Sequence, residues 1–156
     1  MEELIKINRL KSNDIDQIIK IANWYHTEWQ TPIEKTIDRL TNQSDGDIIF
    51  QLTISIEDEI VGTGGLCNNV NIFNFCKSLI NYRPWLSLFY IDKEFRNMGL
   101  GTILLDKIEQ YAKEFKLSKI YLYTFTAESL YKHCGWKVIQ RVTYKNHDTA
   151  IMSKLL

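Results

Sequence analysis

Arg96-Asn97-Met98-Gly99-Leu100-Gly101 falls between two segments of different periodicity. Before it, Trp85 to Ile91 is an apolar run of strand length. After it, from about Thr102 to Lys116, apolar residues return at helical spacing: Leu104, Ile108, Tyr111, Ala112 and Phe115 form one stripe. Asp106, Lys107, Glu109, Gln110, Lys113 and Glu114 are expected to face water. A strand that passes through glycines into an amphipathic helix must lay that helix back across its own sheet, so a layered α/β arrangement follows. The first-turn amides of such a helix lack intrahelical partners and carry partial positive charge. That makes the junction a natural anion site, and glycines let a ligand approach the backbone closely.

The rest of the chain supplies the other layers. Leu4 to Leu10 reads as a strand and Asp14 to Trp29 as a helix, with Ile15, Ile18, Ile19, Ala22 and Tyr25 on one face. Thr31-Pro32-Ile33-Glu34 carries a helix-start pattern, with Thr31 as cap, and that helix is expected to reach about Leu40. Ile48, Phe50, Leu52, Ile54 and Ile56 alternate as in a half-buried strand. Ile60 to Cys67 returns as its neighbour, with Gly62, Gly64 and Gly65 marking close backbone approach. Residues 68–83 read as a long, partly helical connection whose apolar side chains dock on the core, with a lid as the competing reading. Lys119 to Thr124 is a further strand, Thr126 to Cys134 a short helix, and Trp136 to Tyr144 with Thr149 to Lys154 a closing hairpin turning near residues 145–148. The order β-α-α-β-β-β-α-β-α-β-β implies a mixed, mostly antiparallel central sheet with helices on both faces.

Composition narrows the function classes. A chain of 156 residues, 45% hydrophobic, is expected to form a single domain over 1–156. The 19 basic and 19 acidic side chains cancel, so no electrostatic footprint for nucleic acid or an anionic membrane is expected. Charged and apolar residues alternate over Met1 to Leu10, unlike the core of a signal peptide, and no apolar run has membrane-spanning length. The reading is a cytoplasmic protein. Cys67, Cys76 and Cys134 and the three histidines show no metal-ligand spacing, so no metal is expected.

The glycine loop lacks the third glycine of the dinucleotide fingerprint, and Thr102, not lysine, follows Gly101, which excludes a P-loop and disfavours a kinase-like protein. What remains, Arg-x-x-Gly-x-Gly, resembles the signature loop of the GCN5-related N-acetyltransferases (GNAT). A second motif follows in order: Leu130-Tyr131-Lys132-His133-Cys134-Gly135-Trp136 is similar to the family's Leu/Phe-Tyr-x-x-x-Gly-Phe/Trp pattern. Pro84-Trp85-Leu86 matches the strand start of small bacterial members.

This resemblance implies a GNAT-like α/β fold and an N-acetyltransferase that carries the acetyl group of acetyl-coenzyme A to a primary amine by direct attack in a ternary complex. Arg96, Asn97, Met98, Gly99, Leu100, Gly101 and Thr102 would hold the pyrophosphate. Backbone groups of Phe89, Tyr90 and Ile91 would pair with the pantetheine arm and serve the oxyanion. Tyr131 would be the general acid near the sulfur. His26, Trp29 and Trp85, with Trp24, Tyr25 and Glu28, would border an acceptor that is a small-molecule or peptide amine. A homodimer is compatible with the family. Many relatives place a glutamate base on the strand after the long helix, yet Ile120-Tyr121-Leu122-Tyr123-Thr124 has no carboxylate. The family's asparagine contact is also missing, with Thr124 or Thr126 as replacements. A water relay to His26 or Glu28, or an amine that arrives neutral, would then serve. Glu128 is expected to be solvated. The alternative function is a non-catalytic acyl-CoA-binding sensor module.

Overall fold

The computed structural model describes residues 4–43 and 46–156. Met1 to Glu3, the start of the segment read above as unlike a signal peptide, lie outside the described residues. Among the described residues, seven strands and four α-helices follow one another as β1 (Ile5–Arg9), α1 (Ile15–Trp29), α2 (Ile33–Thr41), β2 (Ile48–Ile56), β3 (Glu59–Cys67), β4 (Trp85–Ile91), α3 (Leu100–Glu114), β5 (Lys119–Thr124), α4 (Glu128–His133), β6 (Lys137–Tyr144) and β7 (His147–Leu155). This is the expected order. All seven strands join one sheet, in the order β1-β2-β3-β4-β5-β7-β6. Every pairing is antiparallel except β4 with β5.

Two apolar layers sandwich the sheet. On one face α3 buries Leu100, Leu104, Leu105, Ile108 and Ala112 against Phe50, Leu52, Ile54, Leu86 and Leu122. On the other, Ile18, Ile21 and Tyr25 of α1 and Leu40 of α2 pack on Ile48, Ile60, Cys67 and Tyr90. Because both faces are covered, β2 is not half-buried as its alternation suggested: Gln51, Thr53 and Ser55 are buried too. Gln51 Nε2 donates to Thr63 Oγ1 at 2.9 Å, Thr63 donates to the Leu52 carbonyl at 2.8 Å, and Ser55 Oγ donates to the Lys6 carbonyl at 3.4 Å. The close approach expected at β3 holds at Gly65, where a Cβ would lie 2.2 Å from the Phe50 carbonyl oxygen.

Residues 68–83 dock on the core. Two short 3₁₀ turns, Asn71–Asn74 and Lys77–Leu79, bury Ile72, Phe73 and Leu79 beside Trp85, Tyr121, Tyr144 and Ile151. The expected docking holds for these three side chains.

Three boundaries shift. Pro32, not Thr31, sits at the N-cap of α2, with extended ψ and no side-chain cap. The long helix α3 begins at Leu100, so Gly101 lies within its first turn. The closing hairpin turns tightly at Lys145 and Asn146, both with positive φ, as a two-residue hairpin demands.

Glu109 is a correction of another kind. It is buried rather than facing water, and Lys154 of β7 reaches its Oε1 at 2.7 Å. The same ammonium donates to the Cys134 carbonyl at 2.6 Å. The pair thereby fastens the end of α4 to α3 and β7.

Candidate active site

β4 and β5 meet only once. Trp85 pairs with Tyr121, and beyond that point the two strands part. A bulge in β4 helps to open the gap. Thr63 of β3 lies opposite Tyr90 and Gly65 opposite Ser87, so Leu88 and Phe89 together face the single residue between them. Leu88 takes a left-handed φ of 56°, uncommon for a non-glycine residue and held here by its surroundings. The Tyr25 hydroxyl, on α1, donates to the Leu88 carbonyl at 2.5 Å. Burial pushes the Tyr25 phenol far up, so it stays a donor. Tyr25 thus anchors the bulge.

The parted strands frame a cleft of about 640 Å³, within the usual range for a ligand site. Leu86, Ser87, Leu88 and Phe89 form the β4 wall, and Leu122, Tyr123 and Thr124 the β5 wall. Tyr131 of α4 lies on the same surface. Its ring packs edge-on to Trp136 at 6.0 Å, and its hydroxyl has no hydrogen-bond partner among the described residues. Burial pushes the Tyr131 phenol up to about 12, so it holds its proton at neutral pH. Thr124 Oγ1 accepts from the Thr126 and Ala127 amides at 3.3 and 3.1 Å, which fixes the start of the Tyr131 helix. That hydroxyl is therefore engaged in a turn.

The glycine loop stands beside the cleft. A Cβ at Gly101 would come 3.8 Å from Phe89 Cε1, so Phe89 joins the two regions. Gly99 caps α3 with φ 80°, where L-residues are strained. A Cβ at Gly101 meets only ordinary contacts, so packing imposes no glycine there. The amides of Leu100, Gly101 and Thr102 begin the helix without intrahelical partners. Together, an unpaired strand edge and a helix N-terminus suit an elongated ligand that ends in a phosphate group.

Arg96 is turned away from that N-terminus. Its Nε donates to the Ile91 carbonyl at 2.8 Å and its Nη2 to Glu28 Oε1 at 2.9 Å, and its guanidinium lies 5.1 Å from the Tyr90 ring centre. It clamps the loop to α1, and the Ile91 carbonyl is occupied by it. The Arg96 hydrogen bond holds the Glu28 carboxyl below the usual range, with help from Lys93. Glu28 is therefore ionised at neutral pH and loses the clamp only when acid protonates it. Glu28→Gln is expected to lower stability by about 0.2 to 1 kcal/mol, the scale of an exposed ion pair. Thermal unfolding checks this.

The expected acceptor residues separate. Trp29 lies on the cleft wall, stacked on Tyr25 at 5.0 Å. His26 is exposed, its ring beside the Thr31 carbonyl at 3.3 Å, and is not on that wall. Trp85 is wholly buried. It packs on Phe73 and Tyr121, each at 5.7 Å, and its Nε1 donates to the Tyr82 carbonyl. Its side chain is a core anchor rather than part of the cleft. Trp24 packs beside Tyr90 at 5.4 Å. Glu128 is ion-paired rather than freely solvated: Lys132 lies at 3.0 Å and Arg141 at 2.6 Å, and both hold its carboxyl low. Sequence reasoning missed Lys35, Arg39, Tyr123, Tyr144 and Lys145, which all line the cleft.

Among the described residues no cluster of three or more His, Cys, Asp or Glu side chains is placed to hold a metal ion, and no helix is long and apolar enough to cross a membrane.

The Acetyltransferase (GNAT) family model matches residues 15–136, and the chain belongs to that family. GNAT acetyltransferases use acetyl-coenzyme A. The fold is shared with Ard1 from Thermoplasma volcanium (18% identity, 98% of both chains, TM-score 0.71). It is shared too with an aminoglycoside 6'-N-acetyltransferase complexed with coenzyme A (14% identity, 96% of both chains, TM-score 0.76). A third such structure is ribosomal-protein-alanine N-acetyltransferase from Brucella melitensis (18% identity, 97% of this chain and 99% of that one, TM-score 0.74). No curated protein matches the sequence.

Proposed function

We propose that the protein is an N-acetyltransferase that moves the acetyl group of acetyl-coenzyme A to a primary amine by direct attack while both substrates are bound. The observation that carries this is the parting of β4 from β5 after the single Trp85–Tyr121 pair, with Tyr131 on the cleft wall. Acetyl-coenzyme A supplies the activated acyl group. The amides at Gly99 to Thr102 receive its pyrophosphate, and the open edge of β4 at Phe89 receives the arm as an added strand. A β4 amide in the opening stabilises the charge that develops on the acyl oxygen.

Tyr131 gives its proton to the departing sulfur, and the nitrogen sheds one as the amide forms, so the protons balance. With the phenol near 12 and a thiol near 8.5, complete transfer is uphill by about 5 kcal/mol. The proton therefore passes only as the carbon–sulfur bond breaks, and the phenolate takes up the proton that the nitrogen sheds, which leaves a thiol, an amide and a neutral Tyr131.

No carboxylate on the cleft wall is poised as a base. Among the described residues Glu28 is the one acidic side chain there, and it is held ionised and clamped by Arg96. Two-substrate kinetics test the reading. Thiol release should require the amine, with intersecting initial-rate patterns. The rate should climb with pH toward the amine's own pKa, with no added limb near pH 6 to 7. Acetyl-enzyme formed without amine, or parallel rate patterns, would contradict direct attack.

A further inference from the structure

The cleft continues past the reacting end between α2 and the β6–β7 turn, and its charge there is one-sided. Lys35 and Arg39, one helical turn apart on α2, reach it from one side, and Lys145 from the other. Neither Lys35 nor Lys145 pairs with a carboxylate among the described residues. Lys145 lies over the Tyr144 ring at 5.3 Å. Arg39 already pairs with Asp47 at 2.9 Å and donates to the Asn69 carbonyl at 3.0 Å, so it adds little net charge. The single carboxylate on the wall, Glu28, answers to Arg96 at 2.9 Å and Lys93 at 3.8 Å. The wall thus keeps two unpaired ammonium groups beside the exposed face of Trp29 and the rings of Tyr123 and Tyr144.

We propose that the acceptor is an amine that also carries carboxylates, as in an acidic amino acid or the N-terminus of an acidic peptide, with Lys35 and Lys145 receiving the carboxylates. The inference rests on the transferase reading above and names its acceptor class. A polyamine or an aminoglycoside would bring further positive charge against both lysines with no free carboxylate to receive it.

The experiment compares thiol release from acetyl-coenzyme A with four acceptors: free aspartate, an Asp-Asp-Glu tripeptide, spermidine and kanamycin. The acidic acceptors should exceed both polycations in kcat/KM. Preference for the tripeptide assigns a peptide N-terminus, and preference for aspartate a free amino acid. Lys35→Glu and Lys145→Glu should each raise KM for the better acidic acceptor by about tenfold, and salt should weaken the wild-type preference. KM for acetyl-coenzyme A should move less than about twofold, because neither lysine lies at the glycine loop. Turnover that favours spermidine or kanamycin, or unchanged acceptor KM in both folded variants, overturns the acidic acceptor and leaves the transferase standing. Thiol release with none of the four, although acetyl-coenzyme A binds, overturns the acidic acceptor.

Discussion

Gly101→Glu should abolish useful coenzyme binding while the protein stays folded. A Cβ at this position meets Phe89 and Ile91 only at 3.8 and 3.9 Å, so the helix accepts a side chain. A carboxylate would nevertheless stand among the first-turn amides of α3, where a phosphate group belongs, and would satisfy and repel at once. We expect affinity for acetyl-coenzyme A to fall by at least about 100-fold, the loss of several charge-assisted hydrogen bonds. Gly101→Ala is the control. It should retain binding and raise stability by about 0.5 to 1 kcal/mol, as replacing glycine within a helix does. Gly99→Ala should instead cost about 1 kcal/mol, because its φ of 80° strains any L-residue. Calorimetric titration and thermal unfolding read the two effects separately.

Tyr131→Phe carries the second large effect. The ring stays against Trp136 and the core, so stability should change little. The lost hydroxyl makes no hydrogen bond to the described residues, so its removal orphans no partner. Turnover should fall about 10²-fold, the lower end for general acid help, with KM for acetyl-coenzyme A nearly unchanged. Wild-type turnover in Tyr131→Phe, with chemistry rate-limiting, would remove Tyr131 from the reaction.

What sequence could reveal here was set by how local the cause is. Gly99 announces itself because a left-handed cap asks for that residue type. Strand and helix order was legible for the same reason, through period. Trp85 shows the limit. An aromatic at the start of a strand serves core and cleft alike, and only the docking of 68–83 decides that Phe73 and Tyr121 enclose it. Glu109 fell on a polar stripe, and its partner Lys154 is remote in sequence. The bulge at Leu88 has no signature at all, since leucine has no preference for positive φ. It follows from tertiary support by Tyr25. Lys35 and Lys145 looked like ordinary surface lysines until the fold set them across one opening.

Backbone amide exchange of the whole protein, with and without coenzyme A, tests the central claim most directly. Binding in the parted strands should slow exchange at Phe89 and Gly99 to Thr102 by about tenfold or more, because those amides gain partners. Protection confined to other elements, or none at saturating coenzyme A, would contradict the account.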